Sequence, residues 1–301
     1  MNISGKLPYL RIICNYSDDC NFRCRWCHHE GVYSGAPRRI LKPEEIASVA
    51  EKFYRIGVRK YKILGGEPTL RNDLGEIIHR LRLLDQDMDI SIVTNGHRLT
   101  EKIEEYKASG LTRVNVSLFT LDENYFQKNV GNAALLQKVI AGIDQAADMK
   151  MLSKINHIYH DQDDLKSIVD FAAERNVRVN LLNEIPTSKG GRFTDIDSCV
   201  RALNEIGIDK AEIEEDPFSL PVVVYKLKTG VSVEIKHLTI SNQCLFYSCQ
   251  SCKQREKCKE GIFALRLTPE GKIDPCLVRT DNSFDVLGKT EDEFIQYLQQ
   301  L

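Results

Sequence analysis

Up to residue 182, hydrophobic positions switch repeatedly between the spacing of a strand and the spacing of a helix. In 43–56, Ile46, Val49 and Phe53 recur at helical spacing behind Pro43, which suits the first turn of a helix. Short runs rich in β-branched residues lie between such helices. The pattern predicts strands at 10–14, 61–64, 89–94, 113–119, 154–159 and 178–182, and helices at 43–56, 74–84, 101–109, 133–147 and 163–174.

Strands that alternate with helices in this way indicate an α/β fold built on a parallel sheet. Such a sheet gathers its chemistry at the carboxyl ends of the strands. A cysteine-containing loop, Gly65-Gly66-Glu67-Pro68, Asn95-Gly96 and Ser117 all fall at those ends. We therefore expect these segments to share one site. The pattern alone leaves open whether the sheet is flat or partly closed.

The rhythm changes after about residue 185. The segment 187–191 has the composition of a loop, and 199–206 has helical spacing. Two hairpins are predicted, one pairing 222–228 with 231–236 and one pairing 265–267 with 273–277. We expect a first domain at 1–190 and a smaller, irregular second region at 191–301.

Composition narrows the function classes. The 301 residues are 42% hydrophobic, which is enough for a large core, and the net charge of -2 gives no basic field for stable nucleic-acid binding. No apolar run approaches the roughly 18 residues of a membrane span, and the N-terminus lacks a signal-peptide core. We expect a cytoplasmic protein that does not contact a membrane.

The cysteines are concentrated in two groups. The first is Cys20-x3-Cys24-x2-Cys27, and three thiolates on one loop can each bind one iron of a [4Fe–4S] cluster, leaving the fourth iron open to a small molecule. The alternative is a zinc site of three cysteines with His28 or His29. The second group lies within 33 residues near the other end of the chain and contains Cys244, Cys249, Cys252, Cys258 and Cys276. A zinc knuckle is the alternative interpretation there.

The first cysteine motif, with Trp26 before its last cysteine, resembles that of the radical S-adenosylmethionine (SAM) superfamily. The resemblance implies that Gly65, Gly66, Glu67 and Pro68 hold the amino group of SAM, with further contacts from Asn95 and Ser117. It also implies the chemistry of that superfamily. An electron from the cluster cleaves SAM reductively, and the resulting 5′-deoxyadenosyl radical abstracts a hydrogen from the substrate.

Longer segments resemble the GTP 3′,8-cyclase family of molybdenum cofactor biosynthesis. They are 8–12, 64–74, 93–96, 114–122 and 266–277. The resemblance implies an incomplete (βα)6 TIM-like barrel with a small, irregular C-terminal extension of the twitch or SPASM kind that binds an auxiliary iron–sulfur cluster. It further implies two [4Fe–4S] clusters, the second held in the family by three cysteines. In this chain Cys249, Cys252, Cys258 and Cys276 could ligate it, with Cys244 as a possible ligand.

The family resemblance also suggests where an anionic substrate binds. Residues at or near its triphosphate-binding positions are Arg11, Lys60, Lys62, Arg192 and Arg266, although isolated basic residues are more often solvated surface charges. The chain departs from the family pattern at Ala264, where an arginine is expected, and in its extra cysteines, which could saturate the second cluster. His157 and His160 are further acid–base candidates.

Three functions follow from these interpretations. The first is a radical SAM enzyme that cyclises or rearranges a small molecule, possibly a nucleotide, with electrons from a flavodoxin- or ferredoxin-type donor. The second uses the same chemistry to mature a ribosomally made peptide or another metabolite. The third is a zinc-binding interaction protein without catalytic activity. The saturated second cluster favours the second function, and the length of the resemblance favours the first.

Overall fold

The computed structural model describes residues 7, 9–31, 39–182, 184, 196–215, 222–236, 252, 264–277 and 281–301. Six strands alternate with helices in the first part of the chain: β1 (Tyr9–Ile13), α1 (Pro43–Arg55), β2 (Lys60–Leu64), α2 (Leu74–Arg82), β3 (Asp89–Thr94), α3 (Leu99–Ala108), β4 (Arg113–Ser117), α4 (Glu123–Asn129), α5 (Leu136–Asp148), β5 (Leu152–Ile158), α6 (Gln162–Glu174) and β6 (Arg178–Leu182). The later elements are α7 (Ile196–Ile206), β7 (Ile208–Glu214), β8 (Val222–Leu227), β9 (Ser232–Lys236), β10 (Ala264–Leu267), β11 (Lys272–Asp274), β12 (Phe284–Asp285) and α8 (Glu291–Gln300).

All of these strands lie in one sheet, in the order β12-β11-β10-β1-β2-β3-β4-β5-β6-β9-β8-β7. Strands β1 to β6 are parallel and adjacent in sequence order, as the alternation predicts. The protein therefore has the predicted α/β fold, an incomplete barrel of the TIM type. The parallel set is extended on one edge by β10 and on the other by β9.

The buried residues are those that the strand and helix spacings of hydrophobic positions predict. The parallel strands place residues such as Ile12, Ile63 and Ile92 toward the covering helices, where none is exposed to solvent. In α1, the positions predicted to share a face, Ile46 and Phe53 among them, are buried. Successive side chains of a strand point to opposite faces, so the same strands place polar side chains in the barrel interior, where the candidate site lies.

Both predicted hairpins are present. Strands β8 and β9 pair antiparallel, and so do β10 and β11. The prediction missed α4, β7, β12 and α8. The strands after residue 196 extend the same sheet at both of its edges. The predicted domain boundary at 190 lies in 185–195, outside the described residues. Among the helices described, none has the length and apolar character needed to cross a bilayer.

Candidate active site

A cavity of about 690 Å³ occupies the barrel interior. Its walls come from the parallel strands β10, β1 to β6 and β9, and from the loop after β1. The structure brings together there most of the predicted site residues that it describes, namely Cys20, Cys24, Cys27, Gly65, Gly66, Glu67, Asn95, Ser117, Arg11, Lys60, Lys62 and Arg266. Pro68 instead begins a buried turn at Pro68–Leu70 beside the cavity.

The cysteine loop presents three thiols to this cavity. Cys20 and Cys24 are half-buried, and Cys27 is exposed. Burial raises the pKa of Cys20 to about 11 and raises that of Cys24 still further. A metal ligand must be a thiolate, so binding of metal here would release protons. A cluster gives each thiolate its own iron, so this donor set fits a [4Fe–4S] group.

Helix α4 and its flanking segments support the cysteine loop. The backbone N–H groups of Arg23 and Arg25 donate to the carbonyls of Val130 and Asn129, at 2.7 and 2.9 Å. Trp26 packs edge-on against Phe119, with the ring centroids 4.9 Å apart. The sequence prediction missed α4 and therefore this support. Asp122 could have indicated the start of the helix, because its carboxylate caps α4 by accepting from the N–H of residue 125 at 2.6 Å.

The two glycines of the predicted SAM loop lie directly against the segment that leads into the cysteine loop. The Gly66 N–H donates to Asn15 Oδ1, and Asn15 Nδ2 donates to the carbonyl of Glu67, both at 2.9 Å. A Cβ on Gly65 would lie 2.1 Å from Asn15 Oδ1, and one on Gly66 would lie 2.2 Å from the carbonyl oxygen of Tyr16. Glycine is therefore required by contact distance at both positions.

The Glu67 side chain connects the glycine loop to the end of β3. It is 1% exposed, and its carboxylate accepts from Thr69 N, Thr69 Oγ1, Thr94 Oγ1 and Asn95 N at 3.0, 2.6, 2.6 and 2.7 Å. Burial raises the pKa of Glu67 and outweighs these donated bonds, which lower it. The carboxylate thus holds two site loops together, and a direct contact of Glu67 with SAM remains a prediction.

Asn95 extends this connection to the cysteine loop. Its Nδ2 donates to Asn21 Oδ1 at 2.8 Å, and its Oδ1 accepts from the backbone N–H of His97 at 3.2 Å. Ser117 lies at the end of β4 and lines the cavity without burying its side chain completely. Of the residues predicted to contact SAM, all but Pro68 therefore line the same cavity as the three cysteines.

A row of cations lies on one wall of the cavity. Strand register places Arg266, Arg11 and Lys62 side by side on β10, β1 and β2. We call these three residues the cationic row, and Lys60 lines the cavity near it. Because adjacent strands lie about 4.8 Å apart, the row is a ladder of positive charge built by the backbone. Arg192, the remaining predicted substrate residue, lies outside the described part of the chain.

The opposite wall carries amides and paired charges that the sequence prediction did not identify. Asn156 and Asn180 are in register on β5 and β6, and Asn180 Nδ2 donates to Asn156 Oδ1 at 2.7 Å. Glu234 follows on β9 and forms an ion pair with Lys154. The sequence pattern that could have identified this wall is the alternation of polar with apolar residues in β5 and β6, which is unusual for a buried parallel sheet.

His157 and His160 lie behind the cysteine loop and are not among the residues that line the cavity. His157 is fully buried, with its Nε2 atom 3.7 Å from Asp164 Oδ2. Burial lowers the pKa of His157 to about 3 and that of His160 to about 4, and it raises the pKa of Asp164 to about 6. Their position indicates support of the loop, because His160 packs on Trp26 with a centroid distance of 4.6 Å.

Of the second cysteine group, the structure describes Cys252 and Cys276, both half-buried. Cys244, Cys249 and Cys258 lie outside the described residues. Leu277, next to Cys276, lines the cavity. The auxiliary cluster on Cys249, Cys252, Cys258 and Cys276 therefore stays a prediction.

The partial barrel and its three-cysteine loop are the features of one enzyme class, and comparison with known families agrees. The family model described as the radical SAM superfamily matches residues 14–174, more than half of the chain. The chain belongs to the radical SAM superfamily and is a radical SAM enzyme. Membership implies a [4Fe–4S] cluster and SAM as cofactors, in agreement with the donor set of the loop.

Curated relatives resemble the chain over most of its length. It is 32% identical over 295 residues to a probable GTP 3′,8-cyclase of Pyrococcus abyssi, covering 93% of this chain and 89% of that protein. It is 29% identical over 279 residues to a GTP 3′,8-cyclase of Listeria monocytogenes, covering 89% and 79% of the two chains. These matches agree with the family resemblance of the sequence motifs.

Among solved structures, Streptococcus suis SuiB bound to S-adenosylmethionine has a TM-score of 0.64 to this chain at 17% identity. The match covers 95% of this chain and 63% of SuiB, so the chain spans less than two thirds of the SuiB length. At that identity the likeness shows the fold alone. It supports the partial barrel and carries no information about the substrate.

Proposed function

We propose that this enzyme binds a nucleoside triphosphate, with GTP as the first candidate, and abstracts a hydrogen from it to start a cyclisation. The observation that carries the proposal is the cationic row, since Arg266, Arg11 and Lys62 face the same cavity as the three cysteine thiols. The relatives named GTP 3′,8-cyclase support the choice of nucleotide.

Cys20, Cys24 and Cys27 would hold a [4Fe–4S] cluster, which supplies the electron for reductive cleavage of SAM. The protein's own contribution is to bind and orient. Gly65 and Gly66 let the backbone approach the ligand closely. Asn95 holds the end of β3 against the cysteine loop, so that both sides of the SAM site keep a fixed separation.

The two walls of the cavity suit the two ends of a nucleotide. Guanidinium and ammonium groups of the cationic row would bind phosphate oxygens through charge-assisted hydrogen bonds. Amides of Asn156 and Asn180 on the other wall offer donors and acceptors for hydroxyl and base groups. A ligand that spans the walls would place its sugar between them, in the cavity that the three cysteines also line.

We also propose the auxiliary [4Fe–4S] cluster, an electron donor of the flavodoxin or ferredoxin type, and a reducing, cytoplasmic location. Two clusters give about eight irons per chain, and replacing Cys249 and Cys252 together by alanine removes one of them. Iron and sulfide analysis with electron paramagnetic resonance should show a fall to about four irons while SAM cleavage is retained. Zinc, with four irons or fewer in the wild type, would overturn the second cluster.

The substrate is tested by incubating the cluster-loaded enzyme with SAM, dithionite and GTP under anaerobic conditions. We expect 5′-deoxyadenosine to form together with a new product of GTP. Lys62→Gln should weaken GTP binding by about tenfold, since it removes one charge-assisted contact. Lys102→Gln, a surface change in α3, is the control and should leave binding unchanged. SAM cleavage without GTP binding would place the substrate in another class.

A further inference from the structure

One carboxylate lies inside the cationic row. Glu30, which follows the cysteine loop, places its Oε2 atom 3.5 Å from Arg11 Nη1 and 3.9 Å from Arg266 Nε. Its side chain is 17% exposed, and those of Arg11 and Arg266 are 16% and 5% exposed. Glu30 also lines the cavity. The negative charge thus occupies the place where a bound anion would contact the two arginines.

The backbone at Glu30 is held in an unusual conformation. His29 and Glu30 have φ angles of 57° and 51°, in the left-handed region that residues other than glycine seldom adopt. The Glu30 N–H donates to His28 Nδ1 at 3.1 Å, and His28 Nε2 lies 3.7 Å from Glu30 Oε1. Backbone strain of this kind persists only where surrounding contacts impose it. The loop is therefore built to hold the carboxylate in the row.

The charges of this wall determine how strongly Glu30 competes with a bound anion for the cationic row. Burial alone raises the pKa of Glu30, but the charges of His28, Arg11, Arg266 and Lys62 outweigh it and leave the pKa below its ordinary value. Glu30 is therefore ionised at neutral pH and neutralises one of the three charges of the row. The remaining positive charge still attracts an anion, but the anion must also displace the carboxylate from its arginines.

We propose that Glu30 is a specificity-determining residue, an internal competitor that admits polyphosphates to the cationic row and rejects ligands with a single phosphate. This inference rests on the proposed function, because it assumes that the row binds phosphate. A triphosphate places several negative charges along the row and can contact Lys62 while Glu30 leaves the arginines. A single phosphate gains little more than the internal carboxylate already provides, so it displaces Glu30 poorly.

The test uses two inorganic anions, so the identity of the base does not matter. Binding of tripolyphosphate and of orthophosphate is measured by calorimetry on the cluster-loaded enzyme with SAM. Glu30→Gln removes the charge and keeps the shape. It should strengthen orthophosphate binding by about tenfold or more and tripolyphosphate binding by a smaller factor, so discrimination between the anions narrows. Glu76→Gln, an exposed change in α2, is the matched control and should alter neither affinity.

Unchanged or weaker binding of both anions to Glu30→Gln would overturn the inference. Glu30→Ala, compared at equal thermal stability, repeats the test if the glutamine variant folds poorly. Lys62→Gln separates the two proposals. If it weakens tripolyphosphate binding while Glu30→Gln changes nothing, the row binds phosphate and only the role of Glu30 is wrong. If neither variant affects anion binding, the row is not a phosphate site and the proposed function fails with it.

Discussion

At the scale of single residues, two side chains position the glycine loop. Asn15 receives and donates one hydrogen bond each to the backbone of Gly66 and Glu67. Glu67 connects that loop to Thr94 and Asn95 through its carboxylate. Because both side chains are buried, their bonds are protected from competition with water. The glycine loop is therefore held in place by hydrogen bonds from two buried side chains.

The first prediction concerns Gly66→Ala. The new Cβ would lie 2.2 Å from the carbonyl oxygen of Tyr16, so the turn before the cysteine loop must shift. We expect SAM affinity to fall by about tenfold or more, measured by equilibrium binding to the cluster-loaded enzyme. Gly131→Ala is the control, because its Cβ would meet Phe22 at an ordinary 3.8 Å. Equal SAM affinity in both variants would contradict a steric role for Gly66.

The second prediction uses the buried pair behind the loop. The pKa of His157 is lowered in the folded state, so its contribution to stability is present above the unfolded value of about 6.5 and is lost as pH falls. The pKa of Asp164 is raised to about 6, so its contribution has the opposite sign and is lost as pH rises through 6. Between pH 7.5 and 5.5 each group changes the free energy of unfolding by about 1 kcal/mol.

Two variants should therefore shift the pH dependence in opposite directions. His157→Phe removes the loss of stability that His157 causes at low pH. The free energy of unfolding of this variant should therefore fall less than that of the wild type between pH 7.5 and 5.5. Asp164→Asn removes the gain of stability that Asp164 causes as pH falls, so the free energy of unfolding of this variant should fall more than that of the wild type. Denaturant unfolding at the two pH values measures both differences, and the comparison cancels any constant effect of each substitution. Parallel pH profiles in all three proteins would contradict the assignment.

At the scale of elements, strand register builds the cationic row. The sequence motifs indicate that Arg11, Lys62 and Arg266 belong to a site, but they are separated by many residues in the chain. Parallel pairing of β10 with β1 and of β1 with β2 places them side by side. The register of β10 therefore decides whether Arg266 belongs to the row, because a slip of one residue would turn Arg266 to the other face of the sheet.

The third prediction concerns α8, which packs against α1 and contacts β11 through Tyr297. Phe294 is fully buried and contacts Phe53 of α1 with the ring centroids 4.9 Å apart. Phe294→Ala should lower the free energy of unfolding by about 3–5 kcal/mol, because it removes a large buried ring and leaves a cavity. Gln296→Ala on the exposed face of the same helix should change it by less than about 0.5 kcal/mol. Similar losses in both variants would mean that α8 is not docked as described.

How far each element could be predicted depended on where its hydrophobic residues point. The strand at 89–94 was predicted at its observed bounds, since a fully covered strand has a strong apolar signal. Strand β7 was missed because its exposed residues, such as Lys210, outnumber its apolar ones. Helix α8 was missed although Thr290 and Glu293 form a capping box at its start. This capping motif is a local signal, and α8 lies outside the alternation of strands and helices that indicates the earlier helices.

The site was predicted unevenly for a related reason. Cysteine and glycine motifs carry their chemistry in consecutive residues, so Cys20 and Gly66 could be identified from spacing. Asn15 and Glu30 make their contacts with segments that are distant in the sequence, and no local pattern marks them. The function of a buried asparagine depends on which strand end lies opposite, and that is fixed only when the sheet forms.

At the scale of the whole molecule, a single sheet connects the cysteine loop with both C-terminal hairpins. The central strands have neighbours on both sides and helices over their outer face, whereas β7 forms an edge in the described part of the chain and has mostly accessible side chains. Opening of the central strands requires most of the sheet to unfold. Opening of β7 disrupts only its pairing with β8.

The fourth prediction is that amide hydrogen exchange follows this order. Amides of β3 and β4 should exchange only through global unfolding, and those of β7 should exchange faster by about two orders of magnitude or more, through local opening. Mass spectrometry on the anaerobic, cluster-loaded enzyme gives both rates in one experiment, with β8, paired on both sides, as the internal control. Equal protection of β7 and β3 would contradict an open edge. It would mean that another segment or a second copy of the chain covers β7, since unpaired strand edges bind other strands readily.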